Sequence, residues 1–520
     1  MFKADGIPHI LDRRHTMEGL CFFVIIVGSI FVRNQTALND GLVTGTDGGN
    51  WLAIGQSMVT SNVKAANVSY APLVPLISTY LSFIFGKLLS LSIIYIVCSI
   101  SISITIFYIV RRDIGFWAAL ISSTTQFYVG LNYEIIAWGG YPQIISQCFI
   151  LLSCYWLSKF VSEFAIKHLY FFSLFAILVS LTWIPGCLIL FISGFVIGAI
   201  NFGNYNILLS KKFRIHIFCN LVVAIFLFAY TYKYYLNSID LVKTKGWNLH
   251  GYGLHEFNVV FETVFREWMI FGSIGVVLLA LLLIFTPLWF IRISIPEPLR
   301  NTFFGIAISS FLLFLYSQEI RALSLLLIVA WTILTIFLTS KFDGFLVNNG
   351  DARIISVFKS YKKVAIHGFV FLLITGQILL GFIKSNETFS YYRVIDRNVV
   401  EALDWIKENS SESSLVIAGH NHNSFPYIWW LEGYSETPSY SYSDIRSFNF
   451  IDEKEQVRIA KQIMSDLATN SFDFSGIDVS SVYVFLDKFS DQYRYKITSN
   501  RMKIIFENDK IVIHLITKDK

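Results

Sequence analysis

Charged side chains are scarce in this chain. Asp, Glu, Lys and Arg make up 15% of its 520 residues, whereas an average soluble domain has about 25%. Apolar residues make up 54%, and several apolar runs approach the roughly 20 residues that a helix needs to cross hydrocarbon. The sequence therefore predicts a polytopic α-helical membrane protein. Its few carboxylates outside the apolar runs are the first candidates for chemistry.

The chain also lacks the cysteine patterns that are typical of disulfide frameworks and zinc sites. All six cysteines fall within apolar segments and no Cys-x-x-Cys pair occurs, so we expect neither kind of site. The formal net charge of +5 does not predict nucleic-acid binding, because Lys and Arg concentrate in short loops between apolar runs. Membrane topology alone produces that distribution.

Hydropathy predicts about eleven transmembrane helices. The predicted spans are 18–33, 89–110, 114–131, 141–158, 169–183, 187–203, 215–231, 268–291, 301–316, 322–340 and 364–384. The run 72–86 is shorter and starts with two closely spaced prolines, which favours an interfacial helix over a full crossing. The first span is followed by no cleavage pattern and is expected to be retained. Basic residues then predominate in the loops on the side of the N-terminus, which places that terminus in the cytoplasm.

The composition changes near residue 385, where long apolar runs end and charges become frequent. A helical pattern begins at Val399, and a second helix is predicted at Glu453–Leu467. Strands are predicted at Ser414–Ala418, Val482–Leu486, Lys503–Phe506 and Ile511–Ile516. We therefore predict two domains. A transmembrane domain at 1–384 includes a first outer loop at 33–71 and the interfacial helix 72–86, and a soluble extracytoplasmic α/β domain follows at 385–520.

Asp47 lies in the first outer loop, within the sequence TGTDGGNW. The adjacent glycines permit tight turns, and a helix-like stretch from near Asn50 can hold the acid at the membrane surface. An acid fixed in this way can act as a general base. On residue type alone, a helix-capping Asp is the more common arrangement. Asp40, in the same loop, is interpreted as a turn residue.

The order of features around Asp47 resembles the GT-C superfamily of membrane glycosyltransferases. One span is followed by an outer loop with an acid, a helix and then a proline-spaced segment that ends in Phe-Gly; the matching residues are Asp47, Pro72, Pro75 and Gly86. The resemblance implies an inverting hexosyl- or pentosyltransferase that uses a polyprenyl-phosphate-linked sugar, with Asp47 as general base. It also implies no metal cofactor. The chain has no second acid next to Asp47, which disfavours a metal-binding Asp-x-Asp motif, although a divalent cation elsewhere stays possible.

Two further outer loops carry charged candidates. Glu134, in LNYEIIAWGGYPQ, can orient the acceptor or bind a cation, or it can be a solvated acid at the interface. Glu319 and Arg321, in YSQEIRALS, stand at the mouth of two spans, where charges are costly unless they pair or face a polar cavity. Arg321 can clamp the phosphate of a lipid or extend to the headgroups.

Aromatic and imidazole side chains complete the set of substrate-binding candidates. His250 and His255, in WNLHGYGLHE, belong either to a loop that covers a sugar or lipid headgroup or to one that packs on the soluble domain; their spacing is poor for a metal. Trp429 and Trp430 begin the segment WWLEG, which resembles the WWDYG element of oligosaccharyltransferase catalytic subunits. Leu431 replaces the Asp of that element, so peptide recognition does not carry over. Ordinary aromatic packing is the alternative for the Trp pair.

The interpretation that accounts for most of these features is transfer of a sugar to a glycan, lipid or protein acceptor on the outer membrane face. Two alternatives stay open. A non-enzymatic transporter or flippase of lipid-linked sugars predicts ionisable residues deep within the spans, and these runs hold few. An oligosaccharyltransferase-like transfer of a whole glycan is disfavoured by the altered WWLEG segment.

Overall fold

The computed structural model describes the following residues: 19–20, 23, 26–27, 42–43, 45–60, 70–127, 130–201, 211, 213–226, 229, 295–317, 324–333, 335–336, 339, 388–411, 413–423, 425–442, 454–469, 471–474, 479–494 and 502–518. The domain boundary predicted after residue 384 lies outside these residues. So do Asp40 and most of the spans predicted at 18–33, 268–291 and 364–384.

Helices dominate the first part of the chain. Their bounds are α1 Gly48–Thr60, α2 Leu73–Phe85, α3 Lys87–Asp113, α4 Phe116–Gln126, α5 Gly130–Trp138, α6 Tyr141–Glu163, α7 Ile166–Thr182, α8 Ile184–Ile200 and α9 Glu297–Ser317. Within the described residues, α3 and α6 are long and apolar enough to cross a membrane, and shorter apolar helices include α2, α7 and α8. Helices thus occur where the sequence predicts the interfacial segment 72–86 and the spans that begin at 89, 141, 169, 187 and 301.

Glycine and proline set the ends of the helices. Gly86 separates α2 from α3 with φ 79°, a left-handed conformation that side chains disfavour. Proline lies in the first turn of α6 and of α8, where its missing N–H costs no helical hydrogen bond. These breaks turn one apolar stretch into successive packed helices.

The span predicted at 114–131 is wrong in its extent. Helix α4 ends at Gln126, and the segment expected to be an outer loop contains α5, Gly130–Trp138. The end of α4 is polar and buried: Gln126 donates from Nε2 to the Ile328 carbonyl at 3.2 Å and to Thr332 Oγ1 at 3.0 Å. Hydrogen bonds to the neighbouring helix, Ser324–Ile333, therefore hold the Gln126 amide nitrogen at a position that hydropathy alone treats as the tail of a span.

The second part of the chain contains a five-stranded sheet. Its strands are β1 Ser414–Ala418, β2 Ser439–Ser441, β3 Ser481–Asp487, β4 Lys503–Glu507 and β5 Ile511–Thr517, arranged in the order β2-β1-β3-β5-β4. The pairs β2–β1 and β1–β3 are parallel, and β3–β5 and β5–β4 are antiparallel. Strands β1, β3, β4 and β5 occur where the sequence predicts them.

A helix packs on each face of this sheet. Helix α10, Arg397–Asn409, is capped by Asp396, whose side chain accepts a hydrogen bond from the Val399 N–H at 3.0 Å. Its apolar face joins Phe485 and Ile513 in the same core cluster as the membrane helices. Helix α11, Lys454–Ala468, packs with alternate strand residues such as Val484 in a second cluster. The sheet therefore separates a core continuous with the helices from a smaller outer core.

A buried hydrogen bond fixes the end of β3 against the segment that precedes the Trp pair. Tyr427 donates to Asp487 Oδ2 at 2.6 Å, and both side chains are fully buried. Burial, followed by the nearby Asp487 carboxylate, raises the pKa of the Tyr427 hydroxyl well above its usual value. The phenol therefore stays protonated and donates at any physiological pH.

Replacing Tyr427 by phenylalanine is expected to destabilise this region by about 1–3 kcal/mol, because Asp487 loses a donor that no water replaces. Thermal unfolding of the purified full chain measures the effect. Tyr434→Phe is the matched control: Tyr434 donates to Asp404 at 2.9 Å in a more accessible setting, where water can substitute. An equal loss of unfolding free energy in the two variants would show that burial does not set the strength of the Tyr427 hydrogen bond.

Candidate active site

The Asp47 loop binds the turn that connects α5 to α6. The Asp47 N–H donates to the Trp138 carbonyl at 3.0 Å, and Thr46 Oγ1 donates to the same carbonyl at 2.9 Å from 92 residues away in sequence. Trp51 Nε1 donates to the Gly139 carbonyl at 2.7 Å. These bonds attach the acid-bearing loop to the Trp-Gly-Gly part of LNYEIIAWGGYPQ, the segment that also contains the candidate Glu134.

The close approach of these two segments requires glycine at position 139. Gly139 has φ 100°, and a Cβ there would lie 3.1 Å from Asp47 Cβ and 3.2 Å from its backbone nitrogen. Any side chain at this position would both strain the turn and press on the acid. The Trp-Gly-Gly turn therefore positions Asp47 through its backbone.

The first turn of α1 packs against the WWLEG segment. The Trp pair lies in a helical turn, Ile428–Trp430, that continues into a π-helical turn, Leu431–Ser435. A Cβ on Gly49 would fall within 3.0 Å of the Trp429 carbonyl, and one on Gly433 would collide with the Gly49 carbonyl. Backbone thus meets backbone between the residues next to Asp47 and a segment hundreds of residues later in the chain.

The surroundings of Asp47 include buried polar groups. The acid is partly exposed, Thr46 Oγ1 lies 3.4 Å from Asp47 Oδ1, and the Asp47 carboxylate interacts electrostatically with the phenol of Tyr141. The Tyr141 hydroxyl and the indole N–H groups of Trp429 and Trp430 are buried and have no hydrogen-bond partner in the described part of the chain. Buried polar groups without a partner are few in folded proteins.

A cation lies one turn of α3 away from this junction. A Cβ on Gly48 would be 3.2 Å from Leu91 Cδ1, and Lys87 precedes Leu91 by one turn. Lys87 Nζ donates to the Tyr434 carbonyl at 2.6 Å and pairs with Glu436 Oε1 at 2.5 Å.

Helix α1 contacts the same carboxylate. Gln56 Nε2 donates to Glu436 Oε1 at 3.3 Å. Sequence reasoning missed Lys87 and Glu436. A lysine directly after the Phe-Gly that ends the proline-spaced segment was the available signal for Lys87, whereas nothing in the local sequence marks Glu436.

The structure describes some of the predicted site residues and not others. Trp429 and Trp430 are brought to the loop of Asp47. Glu134 belongs to α5, which leads into the Trp-Gly-Gly turn, and its side chain lies outside the described part. The other predicted substrate-binding residues also lie outside it: His250, His255, Glu319 and Arg321. In the described residues no group of three or more His, Cys, Asp or Glu side chains could hold a metal ion.

Comparison with known proteins places this geometry in a known fold. No family model and no curated protein matches the sequence. A crystal structure of ArnT from Cupriavidus metallidurans bound to undecaprenyl phosphate is similar at 13% identity and TM-score 0.53, over 95% of this chain and 97% of ArnT. The apo structure of the same ArnT is similar at 12% identity and TM-score 0.52, over 96% and 98%.

Both TM-scores extend over nearly the full length of the two chains, so the chains share a fold. At this low sequence identity, the likeness shows the fold alone. This likeness confirms the fold that the GT-C resemblance predicts. The fold is mostly helical and agrees with a polytopic membrane protein.

Proposed function

We propose that this protein is an inverting glycosyltransferase that moves a sugar from a polyprenyl-phosphate-linked donor to an acceptor on the extracytoplasmic face of the membrane. The observation that carries the proposal is the convergence of three distant segments on Asp47, within a GT-C fold. ArnT, which has this fold, was crystallised with undecaprenyl phosphate. That ligand supports a polyprenyl phosphate as the carrier of the donor sugar.

Asp47 is proposed as the general base. As the acceptor oxygen attacks the anomeric carbon, its proton passes to the Asp47 carboxylate and the bond between the anomeric carbon and the donor phosphate oxygen breaks. The electron pair of that bond leaves with the polyprenyl phosphate, and attack from the opposite face inverts the anomeric centre. The hydrogen bonds from the Asp47 N–H and from Thr46 Oγ1 to the Trp138 carbonyl support this role because they fix the acid before substrate binds.

Lys87 and Arg321 are proposed to stabilise the departing phosphate. A phosphate leaving group gains charge as the bond breaks, and a fixed cation nearby lowers the barrier. Lys87 is suited to this role because its pairing with Glu436 and with the Tyr434 carbonyl holds its ammonium at the first turn of α3. Arg321 offers bidentate geometry for phosphate oxygens.

The remaining predicted residues are proposed to bind substrate around this centre. Trp429 and Trp430 supply indole N–H groups and apolar surface for the sugar or the lipid. Glu134 and Glu319 orient the acceptor, and His250 and His255 cover the headgroup. In this arrangement residues 1–384 form the membrane domain with a cytoplasmic N-terminus, and the sheet-containing domain at 385–520 lies outside, above Asp47.

Loss of the gene is expected to remove one sugar from an envelope glycan, lipid or protein and to raise the level of one polyprenyl-phosphate-linked sugar. Mass analysis of surface glycoconjugates and of extracted lipid-linked sugars, with and without the gene, measures both changes and names the sugar. Unchanged profiles in both measurements would contradict the proposed activity.

The purified protein distinguishes transfer from transport. In detergent micelles there are no two compartments between which a lipid could be moved. A transferase still releases polyprenyl phosphate from the donor that accumulates in the deletion strain, once the matching acceptor is added. A flippase leaves donor and acceptor unchanged under these conditions. Absence of release with a protein that retains its native unfolding temperature would favour the transport alternative.

A further inference from the structure

A cavity of about 470 Å³ lies between α3, α6 and α7. The first turns of α3 and α6, with Lys87 and Tyr141, belong to the junction around Asp47. The cavity is instead lined by residues from the second half of these helices, such as Arg112 and Trp156. It therefore lies at the opposite end of these helices from Asp47.

The polar part of the cavity wall is basic. Arg112, Lys167 and His168 line it, and none of the residues that line it is acidic. The guanidinium of Arg112 lies 4.9 Å from the centroid of the Trp156 ring and donates to the Tyr108 hydroxyl at 3.3 Å. Contact with these rings orients the cation without neutralising it.

The acids nearby are held by another lysine. Lys159 pairs with Asp113 at 3.0 Å and with Glu163 at 3.1 Å. The Tyr155 hydroxyl also donates to Asp113, at 3.0 Å. Arg112 and Lys167 are therefore the basic groups whose charge faces the cavity.

His168 supplies a second, independent sign of a ligand. The side chain is fully buried, its ring stacks on Trp156 with centroids 5.1 Å apart, and Nε2 lies 2.9 Å from Glu163 Oε2. A carboxylate accepts, so the proton belongs on Nε2. Nδ1 is buried and has no hydrogen-bond partner in the described structure. A ligand hydroxyl in the cavity would satisfy this nitrogen by donating to it.

The apolar part of the wall continues onto an exposed apolar surface of the helices. Leu152 and Phe175 line the cavity, and Ile104 and Phe171, which also line it, are 40% and 43% exposed. A ligand with a phosphate at one end and hydrocarbon at the other matches this gradient from basic to apolar.

We propose that this cavity binds an anionic glycerophospholipid of the cytoplasmic leaflet, with its phosphate between Arg112 and Lys167, a headgroup hydroxyl on His168 Nδ1, and an acyl chain along Ile104 and Phe171. The proposal does not depend on sugar transfer. The shared recognition chemistry is a phosphate oxygen, which free phosphate also offers, and the hydrocarbon-facing wall favours the lipid.

Native mass spectrometry of the detergent-purified full chain tests the site by measuring ligand binding. The three probes are phosphatidylglycerol, phosphatidylcholine and inorganic phosphate. Phosphatidylglycerol is expected to bind at least about tenfold more tightly than phosphatidylcholine, because only the former keeps a net charge that two basic groups attract. Inorganic phosphate is expected not to compete at the same concentration. Equal binding of the two lipids, or full competition by phosphate, would overturn the lipid assignment.

Variants locate the binding. Arg112→Gln combined with Lys167→Gln is expected to weaken phosphatidylglycerol binding about tenfold or more. Lys167→Gln alone tests the site without risk to folding because this side chain is exposed, and should lose part of that affinity. Arg111→Gln is the matched control: this neighbouring cation lies over the Phe107 ring, 5.7 Å from its centroid, and does not line the cavity. Equal losses for Arg111→Gln and Lys167→Gln would show nonspecific attraction and overturn the proposal.

Discussion

Asp47→Asn is expected to lower the rate of sugar transfer by about 100-fold or more, with little change in donor affinity. Asparagine has the size of aspartate, so the bonds from the backbone of this loop to Trp138 remain. Its amide cannot take the proton of the acceptor hydroxyl, and general-base catalysis contributes about 10²–10⁴-fold to such reactions. Release of polyprenyl phosphate under saturating donor and acceptor measures the maximal rate, and its dependence on donor concentration measures binding.

Asp466→Asn is the control for this substitution. Asp466 lies on the solvent-accessible side of α11 and accepts from Gln462 Nε2 at 2.8 Å, so its loss should leave transfer unchanged. The unfolding temperature of Asp47→Asn should also equal that of the wild type. A variant that keeps most of the wild-type maximal rate would remove Asp47 from the role of base and leave the helix-capping role as its explanation.

Local features of the chain were predictable from sequence because they depend on residues close together. The acid-bearing loop, the helix that follows it and four of the five strands follow from periodicity and turn residues. Strand β2, Ser439–Ser441, was not predicted: its three residues are mostly polar, and it forms a strand because β1 pairs with it in parallel. Backbone pairing with β1 therefore makes this segment a strand although most of its own residues have little strand propensity.

The assembly of the site was not predictable in the same way. Candidate residues were found in GTDGG, in WWLEG and in the segment that ends in Trp-Gly-Gly-Tyr-Pro-Gln. The meeting of these segments depends on glycine backbones that approach across the fold, such as Gly49 and Gly433. Glycine has no side chain, so it contributes neither charge nor hydrophobic periodicity to a sequence. A contact between two glycine backbones therefore cannot be recognised by comparing the sequences of the two segments. Hydropathy likewise could not separate α4 from α5, since the Gln126 amide nitrogen at the polar end of α4 donates to the helix Ser324–Ile333, which is far away in sequence.

Gly433→Ala is expected to separate the WWLEG segment from α1 and to lower transfer by more than about tenfold. A Cβ at this position would collide with the carbonyl of Gly49, and backbone cannot swing aside as the end of a flexible side chain can. Overpacking of this kind costs about 1–3 kcal/mol, and a shift of about 1 Å near reacting groups can cost 100-fold in rate. Hydrogen exchange of residues 48–60 and 428–436 measures the separation, and the transfer assay measures its consequence.

Gly198→Ala is the matched control, since a Cβ there meets no atom within 4 Å and the residue lies inside α8. Alanine favours a helix over glycine by about 1 kcal/mol, so this variant should be as stable as the wild type and fully active. Exchange in β3 and β5 should stay slow in both variants if Gly433→Ala acts only at the contact. Gly49 is two residues from Asp47, so loss of its contact with Gly433 should reach the acid. A Gly433→Ala variant with faster hydrogen exchange at 48–60 but a normal transfer rate would show that catalysis does not require WWLEG to hold this loop. The Trp pair would then lose its proposed role.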